Sequence, residues 1–394
     1  LTADVARERG LNLDTAGFEA AMAEQRKKAQ AASKFSAIGK DGIETDAESE
    51  FLGYEGTEAA CEVVALFNDG QPVDTLNLGE DGAVILSSTP FYAESGGQIG
   101  DTGTIAAGDH SFTVVDTQKK AKAIVHYGSV QAGELSVGDK VEAHVDAERR
   151  QAIRLNHSAT HLMHAALREV LGDHVQQKGS LVAPDRLRFD FSHYEPVSAE
   201  QLAEIEKIVN DEIRRNVAAD TKLMSYDDAV ASGAIALFGE KYEDEVRVLN
   251  FGGFSIELCG GTHVDRTGDI GVFRITHETG IASGVRRIEA VTGKGALDWI
   301  DAREQTLADV ASLLKSQPEQ AAARVEQLLK QNKDLQKRLA TAKHALITGE
   351  RSEQEDEIQE IAGVKVLAAR LHDVDASMLR EAVDRAKDKL QNAV

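Results

Sequence analysis

Cysteine is nearly absent: Cys61 and Cys259 are the only two in 394 residues. Two thiols in a chain of this length make no disulfide framework, so the cytoplasm is the expected compartment. Aromatic residues are also scarce, at 5 %, and the cores must be built mainly from aliphatic side chains. No run approaches the ~18 apolar residues of a membrane helix. The opening LTADVARERG is amphipathic and charged where a secretory signal would be apolar. A chain starting at Leu1 in this way reads as cut from a longer one. Basic residues are outnumbered, 44 Lys and Arg against 66 Asp and Glu, for a net charge of −22. Taken alone, that deficit argues against a nucleic-acid partner. Charge is uneven, however. Arg149, Arg150, Arg154, Arg214, Arg215, Arg286 and Arg287 form local basic spots, and a local patch can hold phosphates on an acidic protein. The plainer reading of each pair is a solvated helix or strand face.

Apolar residues make up 42 % of the chain, enough for real cores, and the length suggests two or three domains. Residues 1–34 are helical by pattern, and residues 35–50 are a polar, Gly-containing linker candidate. From 51 to 145 short apolar runs (61–67, 83–86, 112–115) alternate with Gly and Asp turns, the texture of a compact β-barrel. From 146 to 295 the pattern is α+β. Asn156 or Ser158 can open a helix, 186–192 alternates as a strand, and 199–215 is an amphipathic helix. Strand-like runs follow at 246–249, 272–275 and 288–291. Residues 296–348 are helical. Val325, Leu328, Asn332, Leu335, Leu339, Ala342 and Leu346 form a heptad seam with two readings, a dimer coiled coil or an intrachain hairpin turning at Pro318. Residues 349–360 read as a charged linker. Within 361–394 a strand at 364–368 and a helix from 376 begin a further, incomplete unit. The expected fold class is thus a small β-barrel followed by an α+β domain, flanked by helical segments.

One constellation carries chemistry. His157 and His161 stand four apart, on one face of a helix. Cys259 and His263 are again four apart, beside two glycines that permit a tight turn. Three imidazoles and a thiolate suit zinc at a tetrahedral centre. His164 lies about one step off the shared helix face. A metalloprotease of the HExxH type needs Glu after its first His; Ser158 stands there, which excludes that route, and CxxC pairs of a zinc ribbon are missing. Gln177 and Lys178 could orient a carbonyl or phosphate, or merely form a polar loop. The segment FYAESGGQIGD at 91–101 lacks the Lys-Ser of a phosphate-binding loop. It is either a simple turn or a backbone lying close to a substrate end.

These residues resemble the alanyl-tRNA synthetase family. The matching stretches are FYAESGGQIGDTG at 91–103, RLNHSATHLMHAALR at 154–168, QKGSL at 177–181, RFDF at 188–191, ALFGEKY at 236–242, ELCGGTHV at 257–264 and GVRRIEAVTG at 284–293. HxxxH, CxxxH and ALFGEKY also resemble the editing domain of threonyl-tRNA synthetases. The barrel segment in front points to the alanyl family and its free-standing editing relatives. The resemblance implies an α+β editing domain that hydrolyses mischarged seryl- and glycyl-tRNA(Ala), with zinc on His157, His161, Cys259 and His263. It implies editing-site roles for Thr160 and Gln177, while Arg286 and Arg287 are candidate tRNA contacts. Residues 1–31 resemble the end of a tRNA-recognition domain and 361–394 the start of a C-terminal domain, through which, with the helices, a homodimer could form. The class II aminoacylation motifs are absent, so alanine activation is not expected of this stretch. The alternatives are a threonyl-type or free-standing deacylase, or a non-catalytic tRNA-binding module with structural zinc.

Overall fold

The computed structural model describes residues 43–235, 244–347 and 359–367, with Gly17 and parts of 379–388. The helix expected over 1–34 and the ALFGEKY stretch lie outside these residues. Two units divide the chain, residues 1–299 and 300–394.

The first unit opens with six long antiparallel strands, β1 (Glu58–Asn68), β2 (Asp81–Leu86), β3 (Gly103–Ala107), β4 (His110–Lys120), β5 (Ala123–Ala132) and β6 (Lys140–Val145). They pair in the order β1-β2-β5-β4-β3-β6, and β6 pairs back onto β1, closing a barrel. Closure satisfies every edge. The interior holds Val63, Leu66, Val84, Leu86, Ile105, Phe112 and Val114. In β2 the outward side chains are buried too. Ile43, Phe67, Ala83, Ile85, Val125 and Tyr127 form a second cluster outside the barrel wall. Residues 43–50 therefore do not form the linker their polarity suggested. Ile43 packs on the barrel, Ser49 donates to the Leu86 carbonyl at 2.7 Å, and strand Glu50–Phe51 pairs with Ser88–Thr89.

Helix α1 (Ala147–Leu171) follows at once, capped by Asp146. It begins more than two turns before the expected start, because the Asp146 side chain accepts from the Arg149 N–H. His157 and His161 are consequently mid-helix. Strands β7 (Gln177–Val182) and β8 (Leu187–Ser192), helix α2 (Ala199–Arg215), strands β9 (Ala219–Ser225), β10 (Glu245–Phe251) and β11 (Ser255–Leu258), and strands β12 (Phe273–Ala282) and β13 (Val285–Thr292) complete the α+β part. One sheet runs β7-β8-β13-β12, the other β9-β10-β11. Ala159, Leu162, Met163, Ala166 and Leu167 of α1 pack with Phe189, Phe191 and Ile288 of the sheet and with Ile205, Val209 and Ile213 of α2.

Helix α3 (Gly293–Leu313) leads into the second unit. There a 3-10 turn at Pro318–Gln320 precedes α4 (Ala321–Ile347). Pro318 thus sits at a turn between helices, yet Val325, Leu328, Leu335 and Leu339 of the seam remain exposed. The stretch read as a linker, 349–360, contributes β14 (Gln359–Ile361), which pairs with β15 (Val364–Val366), the strand expected at 364–368. Among the described residues no helix is long and apolar enough to cross a membrane.

Candidate metal centre

Two elements remote in sequence deliver the expected ligands to one point. On α1, His157 and His161 stack with ring centroids 5.2 Å apart. The loop after β11 brings Cys259 and His263, and one ligand atom from each of the four residues lies within 4.8 Å of every other. Cys259 Sγ is 3.5 Å from His157 Nε2 and 3.2 Å from His263 Nε2.

The other face of each imidazole is held by the protein. His157 Nδ1 lies 2.8 Å from Gln98 Oε1, His161 Nδ1 2.8 Å from Glu257 Oε2, and His263 Nδ1 3.3 Å from Ser158 Oγ. Donation from Nδ1–H to these oxygens leaves each Nε2 lone pair directed at the cluster. That is how partners behind a ligand orient metal-binding histidines. Among the described residues His161 Nε2 is buried with no hydrogen-bond partner, and a buried polar atom left unpaired is costly. A divalent ion would satisfy it, and the donor set of three imidazoles and a thiol suits zinc. The residues present therefore fit the metal.

Burial would raise the Cys259 thiol, but His157, His263 and His161 around it override this and hold it well below its ordinary range. That is the thiolate a metal needs. Burial likewise opposes charge on Glu257, and His161 and His164 reverse the effect, holding the carboxyl well below the usual carboxylate range. His161 feels burial downward, yet Glu257 and Cys259 push it up to about 10. Burial, with His157 beside it, lowers His263 to about 3.

The loop geometry explains its glycines. A Cβ on Gly261 would stand 2.1 Å from His157 Cε1, so only glycine lets the loop close on the helix. Arg247 Nη1 donates to the Cys259 and Gly261 carbonyls, and its guanidinium lies 4.3 Å from the Tyr54 ring centroid. Ser158 accepts from the Val264 N–H at 3.1 Å, so the residue that excluded a protease base anchors the loop instead. Gln98 accepts from the Thr262 N–H and donates to Thr262 Oγ1, both at 2.9 Å. The barrel thereby touches both ligand-bearing elements. The 91–101 segment packs its backbone closely on β7 of the protein itself: Gly97 has φ +88°, and a Cβ there would meet Ser180 at 2.8 Å.

A cavity of about 320 Å³ opens beside the cluster. His157, His161, Cys259, Thr160 and Gln177 line it, with Tyr92 and Lys119 from the barrel. The ligand set, Thr160 and Gln177 are therefore brought together. Arg286 and Arg287 do not line it; Arg286 pairs with Glu278 and Arg287 with Asp190. Among the other arginines, the plainer reading of a solvated face fails for Arg149, Arg150 and Arg154. Arg150 is 3 % exposed and bound to buried Asp101, Arg149 donates to the Gly100 carbonyl, and Arg154 donates to the His263 carbonyl and Asp265. Arg214 and Arg215 pair with Asp211 and Glu212. Arg214 and Arg215 are surface i,i+3 pairs on α2, as a solvated face would have, whereas Arg149, Arg150 and Arg154 turn inward to carboxylates or carbonyls.

Known proteins similar to this chain over its whole length include the three that follow. The "Alanine--tRNA ligase" of Shewanella loihica is 51 % identical over 394 residues, that of Hydrogenovibrio crunogenus 51 % over 393, and that of Stenotrophomonas maltophilia 52 % over 399. The chain belongs to the alanyl-tRNA synthetase family. It spans about half of these relatives, 45 %, 46 % and 45 % of their lengths. A family profile described as "tRNA synthetases class II (A)" matches residues 1–149, and "Threonyl and Alanyl tRNA synthetase second additional domain" matches 246–289. The latter contains Glu257, Cys259 and His263, whereas His157 and His161 lie between the two matches.

Sequence reasoning missed Gln98, Glu257, Arg247 and Tyr54. Gln98 and Glu257 stood inside quoted stretches, GGQIG and ELCGGTHV. A Gln flanked by glycines beside a ligand-bearing fold was the available signal, while nothing local marked Tyr54.

Proposed function

We propose that the cavity hydrolyses the aminoacyl ester of mischarged tRNA(Ala), acting on seryl- and glycyl-tRNA as the editing site of an alanyl-tRNA synthetase. One observation carries the reading. Three imidazoles and a thiol converge within 4.8 Å on a cavity that Thr160 and Gln177 also line, in a chain half identical to alanine–tRNA ligases. The need is physical. An alanine pocket separates serine or glycine, differing by a hydroxyl or a methyl, only by about 10²-fold, and a second hydrolytic site is the remedy.

A zinc ion on His157, His161, Cys259 and His263 would supply a Lewis-acidic anchor for substrate or water. The chain's own residues do the positioning. Thr160 walls the seryl side chain, and Gln177 on β7 contacts the substrate backbone. Between the barrel (Tyr92, Lys119) and α1 the 3′ end enters. Water adds to the ester carbonyl, the ester C–O bond breaks, and the ribose hydroxyl leaves with a proton. The ester is intrinsically labile, so orientation supplies most of what is required. Phosphate contact by Arg286 and Arg287 has to compete with Glu278 and Asp190.

The availability of four protein ligands rather than three favours one rival, a structural zinc in a tRNA-binding module. One experiment separates them: seryl-tRNA(Ala) deacylation by the wild type, Cys259→Ala and His161→Ala, with metal content measured on each. Editing predicts turnover by the wild type and loss of rate together with metal. Tight tRNA binding without turnover supports the rival, and full rate from a metal-free variant rejects the zinc role.

A further inference from the structure

A fourth imidazole stands beside the ligand set without belonging to it. His164 follows Thr160 by one helical turn and His157 by two, so all three share a face of α1 and His164 does not stand the expected step off it. It is 2 % exposed and lines the same cavity as Thr160 and Gln177. Phe189 fixes its plane from the side, with centroids 5.1 Å apart. Nδ1 lies 3.1 Å from Glu257 Oε1. Donation of Nδ1–H to that carboxylate leaves Nε2 as an acceptor.

Among the described residues, His164 Nε2 is buried and has no hydrogen-bond partner. His161 Nε2 is orphaned in the same way, but the ligand cluster accounts for it. His164 is outside that cluster, so a metal leaves its acceptor unexplained. Such a group at a cavity wall calls for a donor from the ligand. Thr160 is differently placed: its hydroxyl proton is already given to the Asn156 carbonyl at 2.8 Å.

We propose that His164 Nε2 accepts a hydrogen bond from the seryl hydroxyl, making His164 a specificity-determining residue of the site; this rests on the editing reading. The seryl O–H donates to Nε2 while Nδ1–H stays on Glu257, and no proton is transferred. An alanyl methyl at the same place covers the acceptor with a group that cannot donate. A glycyl ester leaves room for a water, which can donate. The cognate ester is thus disfavoured by an unpaired polar atom, where steric exclusion of so small a side chain would fail. The cost of one unpaired buried acceptor corresponds to about 10- to 100-fold between seryl and alanyl esters.

The test is deacylation of seryl-, glycyl- and alanyl-tRNA(Ala) by the whole chain as wild type, His164→Phe and His164→Gln, with zinc content measured on each. His164→Phe is expected to keep its metal, lose about 10- to 100-fold on the seryl ester and change little on the glycyl ester, so the seryl-to-alanyl ratio collapses. His164→Gln, which can carry a carboxamide oxygen near the Nε2 position, restores part of that ratio. An unchanged ratio in metal-loaded His164→Phe overturns the assignment. So does an equal loss on seryl and glycyl esters, or metal loss in both variants, which would make His164 part of the metal scaffold. A wild type that cleaves none of the three esters refutes the editing reading itself. Wild-type seryl cleavage with an unaltered ratio leaves that reading standing and removes only this assignment.

Discussion

Gln98→Leu tests whether the barrel is part of the metal centre. Gln98 is fully buried. Its Oε1 accepts from His157 Nδ1–H at 2.8 Å and from the Thr262 N–H at 2.9 Å. Leucine fills similar space but removes the acceptor, leaving two buried donors unpaired. Each costs about 1–3 kcal/mol, so on the order of 2–6 kcal/mol of stability is lost before relaxation. The His157 ring also loses the contact that fixes its tautomer, and loss of such a partner typically lowers metal affinity about 10- to 100-fold. Competition with a chromophoric chelator measures the second effect, and urea unfolding of the metal-free protein the first. Gln98→Glu keeps an acceptor for both donors and should recover most of the affinity, with the Thr262 hydroxyl turning to donate. A Leu variant that binds zinc as tightly as the wild type would show that the barrel merely abuts the site.

Cys259→Ala should lose bound metal and seryl-tRNA deacylation together; retained stoichiometric zinc would remove the thiolate from the ligand set. Gly261→Ala places a Cβ 2.1 Å from His157 Cε1, so metal binding should fail even though no ligand is changed, and normal zinc content would contradict the close approach. His126 is buried between the Thr89 hydroxyl and the Val84 carbonyl, and burial lowers it to about 4. Its folded form is neutral while the unfolded chain takes up a proton near pH 6.5. Its contribution is therefore complete above pH 6.5 and lost as pH falls to about 4, on the order of 3 kcal/mol in all. Stabilities from urea unfolding at pH 7 and pH 5 should differ by about half of that amount, and a His126→Gln variant that keeps the wild-type difference would assign it elsewhere.

The site was more legible in the sequence than the surfaces around it, for a physical reason. Metal ligands are few, chemically distinctive and spaced by helix geometry, so His157 and His161 announced a shared face, and the glycines beside Cys259 announced a close turn. Barrel texture was visible because turns recur between short apolar runs. Residues 43–50 failed because a few contacts, Ile43 and Ala47 on the barrel wall and the Ser49 and Glu50 pairings, dock an otherwise polar segment. Polarity averages over a window, whereas docking depends on a few particular contacts. Arg150 was misread because sequence gives charge but not partner: it reads as surface and is among the most buried polar groups. Gln98 and Glu257 were invisible as functional residues because holding the far side of an imidazole depends on which strand lies behind it, and that is settled only by tertiary packing.

The stretch from Gln98 to Asp101 fastens the barrel to α1. Gln98 holds His157, the Gly100 carbonyl accepts from Arg149, and Asp101 receives two bonds from Arg150 Nε at 3.0 and 2.9 Å. Arg150 spends its other nitrogens on the carbonyls of Gly53 and Pro90 at 3.0 and 2.8 Å, tying the helix to the segment that enters the barrel and to the one that leaves β2. A buried pair of this kind is destabilising when either partner is removed. Barrel and α+β part should consequently not unfold separately, and metal on His157 should be felt by both. At zinc a hundredfold above its Kd, linkage gives about 2.7 kcal/mol of stabilisation. That gain should appear at barrel reporters as fully as at α1. Hydrogen exchange of the β5 amides facing β2 and of the α1 amides, with and without zinc, reads both. Protection that rises only on α1 would mean the two parts share a surface but not a folding transition.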